Sequence, residues 1–124
     1  MQRASFSFDV DAGLHLLRIS MEGFFAEDDI ALFAAARDDA YLQLRGLAHD
    51  YRTIVDIREM QIQSQESVSA FQRLLSRPDA ASTPIAFVVS KSLARLQIKR
   101  AAADRKAAYF TTVEDAERWL LSLP

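Results

Sequence analysis

The sequence predicts an α/β domain: a mixed, mostly parallel sheet opened by a β-hairpin, in the order β-β-α-β-α-β-α-β-α, flanked by helices. Three observations predict it. Phe6, Phe8 and Val10 alternate with Ser7 and Asp9, as in a half-buried strand, and Asp11-Ala12-Gly13 offers a turn behind them. Thr53-Ile54-Val55-Asp56-Ile57 and Pro84-Ile85-Ala86-Phe87-Val88-Val89 are short apolar runs of the kind buried on both faces. The segments between and after them carry apolar residues at helical spacing, which is what crossovers between parallel strands require.

Composition narrows the function classes. A chain of 124 residues fits one domain, 1–124, and can bury a core without covalent staples. The absence of cysteine excludes disulfides, thiolate metal sites and a cysteine nucleophile. A net charge of −2 argues against bulk affinity for nucleic acid, so no nucleic-acid partner is expected. No apolar signal core follows Met1-Gln2-Arg3, and no run approaches the ~20 apolar residues that span a bilayer. The expectation is a cytoplasmic protein without a transmembrane segment.

The hairpin's return strand is expected over Leu14 to Ser20. The adjacent Leu16-Leu17 break its alternation, which either a bulge or burial on both faces would explain. Glu27-Asp28-Asp29 complement the positive end of a helix dipole, so a helix should begin there. Ile30, Phe33, Ala34, Ala40, Tyr41 and Leu44 give its apolar face, and Gly46 its stop. After the central strand, Ser64 is a suitable N-cap for a helix carrying Val68, Phe71, Leu74 and Leu75, with Pro78 beyond its end. Ser90 or Ser92 should cap a helix through Leu93, Leu96, Ile98 and Ala101. Ala107 to Phe110 form a short strand. Thr111-Thr112-Val113-Glu114 offers a capping box to a last helix, whose Ala116, Trp119, Leu120 and Leu123 should face the sheet.

This succession resembles the STAS superfamily, and within it the SpoIIAA-like group of small stand-alone bacterial proteins. The likeness rests on the hairpin start, on Thr53-Ile54-Val55-Asp56-Ile57 before the helix at Ser64, and on the ending Tyr109-Phe110-Thr111-Thr112-Val113-Glu114-Asp115-Ala116-Glu117-Arg118-Trp119-Leu120. It implies the fold and a regulatory, protein-binding role such as that of the anti-sigma factor antagonists. Those are switched by phosphorylation in an aspartate–serine–serine–glycine-like stretch. Here that place reads Ile62-Gln63-Ser64-Gln65-Glu66-Ser67-Val68, without the aspartate or the glycine, so Ser64 and Ser67 neighbour the motif position and do not match it. The topology is also distantly similar to the CRAL-TRIO lipid carriers, which implies a small lipophilic ligand as the alternative.

Enzyme signatures are missing. There is no Gly-x-Gly-x-x-Gly, phosphate loop, Gly-x-Ser-x-Gly elbow or His-x-x-x-His pair. His15 falls in the expected return strand and His49, beside Asp50, in a loop with no nucleophile marked near it. Asp56 reads either as a carboxylate in a switch-point crevice, with Arg58, Glu59 and Ser64 nearby, or as a strand-end acid accepting hydrogen bonds from the loop that follows. Lys91, Arg95, Lys99, Arg100, Arg105 and Lys106 against the single Asp104 give +5 over residues 91–106, so the rest of the chain carries −7 of the total −2. Lys91, Arg95 and Lys99 share one helix face, either a solvated surface or a site for an acidic partner.

The residues therefore predict a non-enzymatic regulatory or protein-interaction module without cofactor or metal, compatible with a homodimer. The alternative is a carrier or sensor of a small lipophilic or anionic ligand. The candidate site is the carboxyl edge of the sheet, with Asp56 and Arg58 on the central strand, Ser64, Glu66 and Ser67 at one helix head, and Lys91 and Arg95 at the next. Its occupant would be a protein partner or an acidic or phosphorylated ligand. A roomy apolar cavity would favour the carrier, and a closed core under a flat helix surface the interaction module.

Overall fold

A computed structural model describes residues 2–43, 51–77, 83–90, 92–103 and 105–124. Strands β1 (Ser5–Asp11) and β2 (Leu16–Gly23) form the antiparallel hairpin. Then come α1 (Glu27–Gln43), β3 (Arg52–Met60), α2 (Gln65–Leu75), β4 (Ile85–Val88), α3 (Ser92–Ala101), β5 (Ala107–Phe110) and α4 (Val113–Ser122). The element order is the predicted one, and the five strands make one mixed sheet, β1-β2-β3-β4-β5, parallel from β2 onward.

The strand order never reverses. Crossovers of one hand between strands laid down in one direction place their helices on one face. So α1, α2 and α3 share the larger core, over Leu17, Ile19, Val55, Ile57 and Phe87. Helix α4 follows the last strand and is not a crossover, which leaves it free to cover the other face. There Ala116 and Leu120 meet Leu16, Ile54, Ala86 and Val88.

Two alternatives left open by the sequence resolve here. Leu16 and Leu17 are both fully buried because they point into the two different cores, and the register shift of β2 lies further on, between Ser20 and Glu22. The hairpin turn runs longer than Asp11-Ala12-Gly13, with Leu14 N–H donating to Asp11 Oδ1 at 3.0 Å. His15 is not inside the return strand. It takes the left-handed conformation (φ 51), and its ring stacks on Tyr51.

Helix ends follow their capping chemistry. Asp29 reaches back to accept from the Ala26 N–H at 2.9 Å, half of a capping box at the head of α1. Leu44 and Gly46, expected at its tail, lie outside the described residues, as do His49, Asp50, Pro78 and Asp104. Ser64 caps α2 by accepting from Ser67 N–H at 3.1 Å. The cap of α4 is Thr112, accepting from Asp115 N–H at 3.1 Å, one residue later than the box over Thr111 and Glu114 would place it. Helix α3 begins at Ser92, so Ser92 is in its first turn; Ser90 instead contacts the Arg58 carbonyl at 3.4 Å. Trp119 is only half-buried, with its ring 5.8 Å from Phe110, whereas Leu120 is wholly buried. Among the described residues no helix is long and apolar enough to cross a membrane.

Candidate functional site

The larger core is not filled. Between the sheet and α1–α3 lies a cavity of about 70 Å³, open to solvent. Its floor includes Ile19, Val55, Ile57, Ile85 and Phe87, and its roof Phe33, Phe71, Leu74, Ala94, Ile98 and Ala101. The alanines account for much of the space. At Ala94 and Ala101, α3 turns buried positions toward the sheet, and a methyl leaves room that a leucine would take.

Four polar side chains line the cavity at the amino ends of the parallel strands: Arg37 and Tyr41 from α1, Thr53 at the start of β3, and Arg105 just ahead of β5. The Tyr41 and Thr53 hydroxyls pair at 3.2 Å, and the Arg37 guanidinium lies 4.9 Å from the Tyr41 ring centre. Arg37 is 7% exposed, yet its Nη1 has no hydrogen-bond partner among the described residues. Its ion-pair contact is with Asp38 Oδ1, at 3.5 Å, and both oxygens of that carboxylate are also engaged by Arg77 at 3.2 Å. Arg105 donates through Nη2 to the carbonyl and hydroxyl of Thr83, at 2.8 and 3.2 Å, but its buried Nε has no hydrogen-bond partner among the described residues. Burial pulls the Arg105 pKa below its usual value; Tyr41 opposes that, and the Arg37 charge adds to it. Such unsatisfied buried guanidinium atoms are costly unless something binds them. Other arginines of the fold show the contrast. Arg18 is held by Glu117 and Arg52 donates to the carbonyl oxygens at the end of α4.

The carboxyl-edge end of the cavity is closed by amides. Gln63 Oε1 accepts from Phe25 N–H at 2.9 Å, and Nε2 donates to the carbonyls of Gly23 and Gln61. The Gln97 amide pairs with the backbone of Gln63 through two bonds, at 2.9 and 2.8 Å. The Gln63 and Gln97 amides are thus engaged with their neighbours, which gives this end cohesion.

Of the residues expected to form one site, Asp56 and Arg58 lie apart from the rest, while Ser64, Glu66 and Ser67 at the head of α2 and Arg95 in the first turn of α3 follow the carboxyl ends of neighbouring strands. Asp56 and Arg58 project from the sheet face that α4 covers, whereas Ser64, Glu66 and Ser67 head a helix on the opposite layer. An unreversed strand order also has no switch-point crevice for Asp56. Arg58 instead clasps it through Nε and Nη2, at 3.0 and 2.8 Å, and through its own backbone N–H at 3.1 Å. Burial pushes the Asp56 carboxyl up, but these bonds outweigh it and hold the pKa below the usual value. Ser67 is 1% exposed with its hydroxyl bonded to the Phe25 carbonyl, so it is part of the core. Glu66 and Arg95 are exposed, and Lys91 lies outside the described residues. Sequence reading missed Arg37, Tyr41 as a polar group and Thr53, and counted Arg105 only within the basic run over residues 91–106. The available signal was Arg37's place on the apolar stripe Ile30, Phe33, Arg37, Tyr41. Among the described residues no group of three or more His, Asp or Glu is placed to hold a metal ion.

No family model matches the chain, and none of the curated proteins does. Among solved structures it is similar to an uncharacterized protein from the DUF3478 family, with a SpoIIAA-like fold, from Shewanella loihica PV-4. The two are 15% identical over 97% of each chain, with a TM-score of 0.64. Likeness at that identity speaks to architecture and not to chemistry. With its hairpin-opened sheet and four helices, the chain has a SpoIIAA-like α/β fold.

Proposed function

We propose that this domain is a non-enzymatic carrier or sensor that holds a small ligand with an apolar part between its sheet and α1–α3. The observation that carries the reading is the cavity, apolar along its floor and most of its roof, with amides closing one end and guanidiniums and hydroxyls at the other. Its volume, about 70 Å³, is roughly half that of a cavity that holds benzene (~150 Å³), so the apolar part is short. The absence of any nucleophile–base pair in the sequence supports the non-enzymatic part. Short-chain alcohols followed by ligand-observed NMR test it. Wild-type protein should bind them, and Ala101→Leu, which adds apolar volume at the cavity wall, should not. No binding of any such compound by the wild type would count against the reading.

A second reading, an interaction module for an acidic protein partner, is supported by α3. Leu93 and Leu96 are 56% and 61% exposed there, with Arg95, Lys99 and Arg100 beside them. A glutamate-rich amphipathic peptide should then bind, with affinity falling as salt rises, and Arg95→Glu with Arg100→Glu should abolish it. Binding unaltered by the double substitution would discard this surface.

A further inference from the structure

We infer that the Arg37–Arg105 end of the cavity is a carboxylate-binding site, so that the ligand is a small carboxylic acid with a short apolar tail. This rests on the cavity being a ligand site, and adds which chemical class it takes.

The argument starts from what the protein leaves unsatisfied. Two arginines from different parts of the chain line one end of one cavity, and each has a buried nitrogen without a hydrogen-bond partner among the described residues, Nη1 of Arg37 and Nε of Arg105. A buried arginine normally has its donors matched by carboxylates or carbonyls. Among the described residues Asp38 is the one carboxylate in ion-pair contact with either, at 3.5 Å from Arg37 and shared with Arg77. The two cations also feel each other, since Arg37 adds to the depression of Arg105. An anion between them would take up the free donors and relieve the like-charge pairing.

The rest of the cavity selects among anions. Two nitrogens without a hydrogen bond match the two oxygens of a carboxylate, and the Tyr41–Thr53 hydroxyl pair, 3.2 Å apart, has one further O–H to donate at the same end. Phosphate or sulfate presents more oxygens and no tail. It would leave the walls formed by Val55, Phe71, Leu74 and Phe87 without apolar contact. A carboxylic acid satisfies both ends. Its head replaces the missing acceptors, and its tail occupies the space left by Ala94 and Ala101.

The test is calorimetric titration of the full chain with butanoate, hexanoate, butanol, hexanol and inorganic phosphate, on wild type, Arg37→Met, Arg105→Met and Arg37→Lys. The expected result is an acid that binds wild type at least tenfold more tightly than its alcohol. That preference should vanish in both methionine variants and survive in part in Arg37→Lys, which keeps a charge without the planar donor pair. Alcohol bound as tightly as acid, with no effect of the arginine substitutions, overturns the carboxylate site while leaving the apolar-ligand function standing. Phosphate bound as tightly as the acids, and lost with the arginines, overturns the carboxylic-acid class. Binding of none of the compounds overturns both. The comparison of acid with alcohol needs wild type alone, so it decides even where a variant fails to fold.

Discussion

Replacing Gln63 with leucine should destabilise the protein severely, although glutamine is ordinarily a surface residue. The magnitude follows from its partners. Its Oε1 is the acceptor for the Phe25 N–H at 2.9 Å, and Phe25 is fully buried. Leucine leaves that N–H without a partner, at ~1–3 kcal/mol. The bonds from Nε2 to Gly23 and Gln61 also go. Gly23 keeps the Gln61 N–H at 3.0 Å, so this second loss is nearer ~1 kcal/mol. Added apolar burial by leucine returns ~1 kcal/mol. The net expectation is ~1–3 kcal/mol, a sizeable share of a typical domain stability of ~5–15 kcal/mol. Urea unfolding followed by circular dichroism measures it, with hydrogen exchange at the Phe25 amide as the local readout. Gln97→Leu is the comparison. It releases the Gln63 backbone groups from a half-buried partner and should cost ~1 kcal/mol or less. A Gln63→Leu midpoint within ~0.5 kcal/mol of wild type at unchanged m, with Phe25 exchange unaltered, would refute the reasoning that these amides tie the end of β2 to α3.

Helix α4 supplies an ordered pair. Leu120→Ala removes a wholly buried side chain from the smaller core and should cost ~3–5 kcal/mol, whereas the half-buried Trp119→Ala should cost less, ~1–2 kcal/mol, and thermal melts giving the reverse order would be contrary. The folded-state pKa of Asp56 lies below its ordinary value of 3.8, so its stabilisation is complete above that value and is lost as pH falls through the folded one. Because Arg58 is 41% exposed at its side chain, the effect is expected to be ~1 kcal/mol at most; Asp56→Asn should flatten the acid limb of stability against pH, and an unchanged limb would contradict it. Arg37→Met removes a buried guanidinium with an unmatched donor and should raise the stability of ligand-free protein by ~1 kcal/mol or more, which a denaturant melt checks directly.

Much of the fold was legible because its signals are local. Alternation in β1, the apolar runs of β3 and β4, and the capping serine and threonine of α2 and α4 depend on neighbours a few residues away. The single-residue slip at the α4 cap shows the limit of that signal: Thr111 and Thr112 are equally good caps, and only the path out of β5 chooses between them. The site was not legible, for a physical reason. Periodicity treats arginine, glutamine and serine as surface residues, so Arg37, Gln63 and Ser67 vanish from a core read by hydrophobicity, although all three are buried. What makes them tolerable or costly is a partner far along the chain, such as Phe25 for Gln63 and for Ser67. Asp56 and Arg58 separate from the expected carboxyl-edge site for a topological reason. A switch-point crevice depends on a reversal of strand order, and this sheet has none.

The sheet's two faces differ in how completely they are packed. The face under α4 is closed by a single helix, with Leu16, Ile54, Ala86, Val88, Ala116 and Leu120 all essentially inaccessible. Nothing in the fold prevents equally dense packing on the other face, which has three helices to supply side chains. Instead α3 presents alanines toward the sheet there, and α1 turns an arginine onto its apolar stripe. Either feature alone would be an ordinary imperfection of a core. Together, at one cavity, they cost stability twice, once in lost dispersion contacts and once in an undermatched charge. Larger apolar residues at these positions would remove both costs, and such substitutions are readily reached in proteins that need only stability. Space and charge side by side are what the proposed ligand site requires, since a bound ligand would supply the missing atoms and offset both costs.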